Sequence, residues 1–164
     1  MESMPSILIV CMGNICRSPL AEVVLKTKAQ QRGLVLNIAS AGTIRDQVGN
    51  SPDRQVQSLA SQHGYDLNGL TATQVTKNDF SNYDMVLAAD KANLAALYDL
   101  CPREYRNKLA LFLSYSDVDE KEIPDPYKGS QVRHQKAFEL IEQGSDGVLT
   151  VSYTHLRAHE THEN

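Results

Sequence analysis

SILIVCMGNICRSP, residues 6–19, holds a strand, a loop and a helix start in one short stretch. Ser6–Val10 is rich in β-branched residues and reads as a buried parallel strand. Ser18-Pro19 reads as an N-cap followed by proline at the first helical position. The loop between them carries two cysteines, one glycine and one arginine.

Outward from this junction, strands and helices alternate. Pro19–Arg32 places Ala21, Val24 and Leu25 at helical spacing, and Gly33 stops it. LVLNIAS (34–40) is a second expected strand, followed by the turn AGT, and 52–63 is a helix ending at His63-Gly64. YDMVLAAD (83–90) predicts a third strand, with Asp90 capping a helix at 91–100. KLALFL (108–113) predicts a fourth strand and 130–144 a last helix. Such alternation implies βαβ units and a parallel sheet. The expected architecture is α/β: one three-layer domain over residues 1–150, a four-stranded parallel sheet with helices on both faces. Ligands of such sheets bind beyond the carboxyl ends of the strands, and Val10-Cys11 lies at one.

The 164 residues are 41% hydrophobic and 22% charged, which suits a single globular domain without repeats or linkers. A net charge of −4 offers no general attraction to nucleic acid or an anionic membrane, so an anionic substrate needs a local positive site. No apolar run reaches the ~20 residues of a membrane span. MESMPS has no basic and apolar export pattern. The three cysteines are therefore expected as reduced thiols in a cytoplasm. VSYTHLRAHETHEN (151–164) lacks apolar periodicity and resembles a sequencing-adapter oligonucleotide translated in frame; it is read as a non-native tail that cuts the last helix short near Thr150. His155 and His159 there do not meet the HExxH zinc spacing.

Three chemistries compete for the loop. Cys11 and Cys16 are five apart, whereas zinc and disulfide-exchange motifs favour two intervening residues, and Cys101 stands alone. Walker A and dinucleotide turns need glycines and a lysine that this loop lacks. An anion cradle fits. A strand-to-helix loop turns the backbone N–H groups of Met12, Gly13, Asn14, Ile15, Cys16, Arg17 and Ser18 toward one tetrahedral oxyanion, beside the positive end of the helix dipole. Arg17 adds a planar fork for two phosphate oxygens. Cys11 would sit beneath the anion as a nucleophile, its pKa lowered below the free value of ~8.5. Ser18 can donate to the sulfur, and Asn14 can brace the loop. The leaving oxygen needs a proton, and Asp125 in IPDPYKG (123–129), stiffened by prolines on both sides, is a candidate donor. Tyr127 can present a ring face to an aromatic leaving group.

VCxGNxCRSP at the first strand–helix junction, SAGT at 40–43 and DPY at 125–127 together resemble the low-molecular-weight protein tyrosine phosphatases, in register from about Ile7 to Leu149. The resemblance implies hydrolysis of phosphotyrosine monoesters through a cysteinyl-phosphate, with no metal or other cofactor. It makes Cys11 the nucleophile, Arg17 the phosphate-binding residue, and Asp125 the general acid and later base. Asn14, Ser18 and Ser40 match the supporting network, and Cys16 matches a second cysteine that can trap Cys11 as a disulfide. The implied partner is a tyrosine-phosphorylated protein, a bacterial tyrosine kinase among the candidates, and the implied state a monomer or weak dimer.

Four positions depart from the family pattern. Leu70 replaces a supporting histidine, which should loosen the hold on Asn14. Asp46 stands where bacterial relatives commonly have an aromatic wall, and Lys128 where a second tyrosine often follows Tyr127. With Met12 and Tyr127, these two make up the expected substrate wall. Ala89 replaces a usual methionine, a packing change. Arsenate reductases of this fold need a cysteine relay that Cys101 alone cannot supply. Protein-arginine phosphatases favour threonine where Ile15 stands. Leu70, Asp46 and the tail motivate an alternative of another class, a catalytically weak phosphoprotein-binding module, although binding alone would require neither Cys11 nor Asp125.

Overall fold

The computed structural model describes residues 4–163, and in it the opening run forms β1 (Ser6–Cys11). β1 is central in a four-stranded, all-parallel sheet of order β2-β1-β3-β4, with β2 at Asn37–Gly42, β3 at Met85–Ala88 and β4 at Leu109–Leu111. Being central, β1 is buried along its whole length, which is why its sequence shows no polar alternation. Ile7, Ile9 and Cys11 face one core with Leu87 of β3, and Leu8 and Val10 face the other with Val86 and Ala88.

The first core lies under α1 (Arg17–Gln31), α2 (Arg54–Gln62) and α5 (Gln131–Glu163), through residues such as Leu20, Val24, Val56, Phe138 and Ile141. The second lies under α3 (Asp79–Asn82) and α4 (Lys91–Leu100), through Phe80 and Leu97. Helices thus cover both faces, as the alternation of elements predicts. Asp90 caps α4 by accepting the Asn93 N–H at 2.8 Å.

Several boundaries differ from the sequence expectation: of KLALFL (108–113) only Leu109–Leu111 is strand, since Phe112 and Leu113 turn into a 3₁₀ helix and are buried in the first core. β2 starts at Asn37, not Leu34, because Leu34 N–H still bonds Ala29 O to close α1, while Asn37 N–H bonds Pro5 O to begin the sheet. α1 starts at Arg17 with no side-chain cap, so Ser18 is inside the helix and its hydroxyl is used elsewhere. α5 does not stop at Gly144. A Cβ at Gly144 would lie 2.6 Å from Leu113 Cδ2, and one at Gly147 would run into Tyr115 O. These glycines let α5 press against the 3₁₀ turn Phe112–Tyr115 rather than ending the helix. Val148 and Leu149 are fully buried and Ser152 nearly so. The side chains of His155 and His159 lie outside the described residues. Among the described residues, no helix is long and apolar enough to cross a membrane.

Candidate active site

The loop after β1 is shaped by its neighbours. Thr43 N–H donates to Cys11 O at 2.9 Å and Ile44 N–H to Met12 O at 3.1 Å, so the chain after β2 runs directly over the loop's first residues. Gly42 must be glycine for this crossing, since a Cβ there would lie 2.7 Å from Met12 O. Asn14 adopts φ 58°, a left-handed turn that swings successive amides to one side, as in backbone anion nests. Among the described backbone hydrogen bonds, none uses an N–H from Met12 to Ser18 as donor. The seven amides remain available around the mouth of α1, where the helix dipole adds positive potential.

Beneath them, Cys11 Sγ lies 3.0 Å from Ser18 Oγ, and both residues are buried. Asn14 Nδ2 donates to Ser18 Oγ at 2.8 Å and to Ser40 Oγ at 3.0 Å, while Asn14 Oδ1 accepts Thr73 N–H at 2.9 Å. Ser40 Oγ in turn donates to the buried carboxylate of Glu22 at 2.6 Å, which pairs with Lys26 Nζ at 2.6 Å. Asn14 therefore has partners for its whole side chain without a histidine at 70. Leu70 contributes no bond to this network and packs against the first core.

Arg17, 3% exposed, is anchored from two distant segments. Its Nη1 donates to Asp90 Oδ2 at 2.7 Å and to Ile123 O at 2.8 Å, and its Nη2 lies 4.0 Å from Asp125 Oδ2. Ile123 N–H bonds Ala89 O, which ties the 123–127 segment to the end of β3. Asp125 Oδ1 accepts Tyr127 N–H at 3.1 Å and Asp125 O accepts Arg133 Nε–H at 2.6 Å, so the side chain is held at the mouth while half exposed.

These groups converge on one cleft of about 190 Å³. Its floor is Cys11, Met12, Gly13, Ile15, Cys16 and Arg17, and its walls are Ile44, Asp46 and Gln47 on one side and Asp125 and Tyr127 on the other. Of the sequence-expected wall, Met12, Asp46 and Tyr127 line it, whereas Lys128 does not and instead places its Nζ 5.4 Å from the Tyr127 ring centroid. Asn14, Ser18 and Ser40 lie behind the floor as supports. Burial pushes the Cys16 thiol far above its ordinary 9.0, and the negative fields of Asp53, Cys11 and Asp125 act in the same direction against Arg17. Cys16 is thus a protonated neighbour of the loop. Cys101 is a buried thiol of the second core. Its pKa is raised by burial.

Sequence reasoning missed Glu22, the full role of Asp90, and the walls Ile44 and Gln47. Glu22 carried a weak signal, four residues after Ser18 on one face of α1. Asp90 was legible as a cap at a strand end beside the site, but its bond to Arg17 depends on the sheet order.

A family model described as "Low molecular weight phosphotyrosine protein phosphatase" matches residues 6–160. The chain is 38% identical over 139 residues to the low molecular weight protein-tyrosine-phosphatase Wzb of Salmonella typhi, covering 85% of this chain and 88% of that protein. It is 32% identical to the low molecular weight protein-tyrosine-phosphatase YfkJ of Bacillus subtilis, covering 89% and 94%. The crystal structure of a low molecular weight phosphotyrosine phosphatase from Vibrio cholerae O395 superimposes with a TM-score of 0.85 at 41% identity, covering 90% of this chain and 95% of that one.

Proposed function

The chain belongs to the low-molecular-weight phosphotyrosine protein phosphatase family, and on that premise we propose how its own residues hydrolyse a phosphotyrosine monoester. The phosphate sits in the ring of amides from Met12 to Ser18, with the Arg17 guanidinium against two of its oxygens. Cys11 Sγ attacks phosphorus as the thiolate, supported by a hydrogen bond from Ser18 Oγ, and a P–S bond forms as the P–O bond to the phenol breaks. Asp125, protonated, gives its proton to the departing phenolate oxygen. The resulting carboxylate then takes a proton from water, whose oxygen attacks phosphorus, releases inorganic phosphate and returns Cys11 to the thiolate. Asp90 and Ile123 O hold Arg17 in place throughout. We place the domain at residues 1–150 and read 151–164 as a non-native tail, although α5 is not cut short near Thr150 and runs on through it to Glu163, with Ser152 packed against the domain.

One observation carries the assignment: Cys11 and Arg17 open onto the same cleft as Asp125, at the two ends of a single loop whose amides have no other task. The substrate is a tyrosine-phosphorylated protein, and a bacterial tyrosine kinase is a fitting partner for a chain of this kind. A reducing cytoplasm suits its three free, buried cysteines, with Cys16 at hand to form a reversible disulfide with Cys11 under oxidation. We assign it as a monomer or weak dimer. Stopped-flow kinetics on an aryl phosphate test the mechanism: a stoichiometric burst of phenol is expected, abolished by Cys11→Ser. Surviving turnover in Cys11→Ser, or faster turnover of phosphoarginine than phosphotyrosine peptides, would overturn it.

A further inference from the structure

The two walls of the cleft flank opposite ends of the phosphate loop. The chain after β2 bonds Cys11 O and Met12 O, and a Cβ on Gly13 would lie 3.3 Å from Gln47 Cγ, so Ile44–Gln47 stands over the Met12–Gly13 end. Asp125 and Tyr127 stand over the Arg17 end. The charged group on the first wall is Asp46, exposed and absent from the described ion pairs, and its neighbour Arg45 does not line the cleft. On the second wall, Asp125 is half exposed and reaches toward Arg17 at 4.0 Å, while the Lys128 ammonium, just outside the cleft lining, lies 5.4 Å from the Tyr127 ring centroid. Lys128 is exposed, and its backbone is left-handed at φ 57°. With Asp125 in the protonated form that the acid step requires, the rim is therefore polar, negative at Asp46 over its Met12 side and positive at Lys128 over its Arg17 side.

We infer that this polarity selects the sequence around the phosphotyrosine, so that a substrate carries a basic residue on one flank, set against Asp46, and an acidic residue on the other, set against Lys128. The inference rests on the phosphotyrosine assignment above. Charges at the rim of a cleft act on encounter and orientation, and they discriminate between partners more than they add affinity. The overall charge of −4 gives no such orientation, because it acts equally on both flanks.

Two phosphotyrosine heptapeptides of identical composition test this, one with lysine before and glutamate after the phosphotyrosine and one with the order reversed. Their net charges are equal, so the ratio of their kcat/KM values isolates the local polarity. The ratio is expected to depart from one by at least about threefold at low salt, given two exposed ionic contacts exchanged for two repulsions. About 0.5 M salt should bring it toward one. Asp46→Lys compresses the ratio, and Asp46→Lys combined with Lys128→Glu inverts it. Equal rates for the two orders, or an unchanged preference in the charge-swapped variant, would overturn the inference. No turnover of either peptide by the unaltered protein would instead remove the phosphatase assignment beneath it.

Discussion

Replacing Asn14 by alanine and, separately, by glycine divides the two tasks this residue performs. Its backbone is left-handed at φ 58°, and its side chain makes three hydrogen bonds, to Ser18, Ser40 and the Thr73 N–H. Alanine removes all three bonds, each worth about 1 kcal/mol net. Ser18 and Ser40 keep Cys11 and Glu22 as partners, which limits that loss to about 2–3 kcal/mol. Holding a Cβ left-handed without a local polar side chain adds about 1 kcal/mol. Asn14→Ala should therefore destabilise by about 3–4 kcal/mol, and at 2–4 °C per kcal/mol lower Tm by roughly 6–16 °C. Glycine lacks the Cβ and should recover a part of this, up to about 1 kcal/mol, less what it gives back in unfolded-state entropy. Both variants should lose kcat on an aryl phosphate, because the amides downstream of residue 14 no longer converge. Thermal melts and steady-state kinetics on the pair decide the matter. If Asn14→Gly is no more stable than Asn14→Ala, the backbone conformation is not costly. If both keep the original kcat, the nest is not held by Asn14.

Three further outcomes are expected. Asp125→Asn should lower kcat by about 10²–10⁴ for a phenol of high pKa, and by much less for an aryl phosphate whose leaving group needs no proton; a uniform loss would argue against general acid catalysis. Asp90→Asn keeps a helix-capping side chain but removes the charge facing Arg17, so stability should fall by about 1.5–3 kcal/mol, with a rise in the Kd of inorganic phosphate measured by calorimetry. Stability should also decline with alkaline pH. Burial raises the Cys16, Tyr83 and Tyr115 pKa values in the folded state, so the unfolded chain releases those protons first. Their contribution is fully present below the unfolded cysteine value of 9.0 and fades above it. Melts between about pH 7 and 10.5 should show Tm falling through the upper half of that range, less steeply in Cys16→Ala.

The loop and β1 were legible because their chemistry is local. Cys11, Asn14, Arg17 and Ser18 fall within one turn of chain, and their types alone point to an oxyanion cradle. Ser18 reads in sequence both as a cap and as a donor to the sulfur, because a serine at a helix start has two available uses, and only the nearby sulfur and Asn14 amide decide for the second. The expected end of the last helix at 144 fails because a glycine that ends a helix and one that admits a close neighbour look alike in one dimension. Asp90 and the carbonyl of Ile123 were invisible as anchors of Arg17, since the contact depends on β3 lying beside β1 in the sheet.

The anchoring of Arg17 also governs when during folding the protein gains activity. Its partners lie 73 and 106 residues away in sequence, and the Asn14–Thr73 bond spans 59. Contacts of such separation close long loops of the chain, and parallel sheets built from them form slowly. A collapsed species with β1 and α1 in place but the 123–127 segment undocked would expose a reduced cysteine without its arginine held. Recovery of turnover after dilution from denaturant should thus coincide with the slowest structural phase, and a nascent chain that has not yet reached Ile123 has no means of dephosphorylating anything.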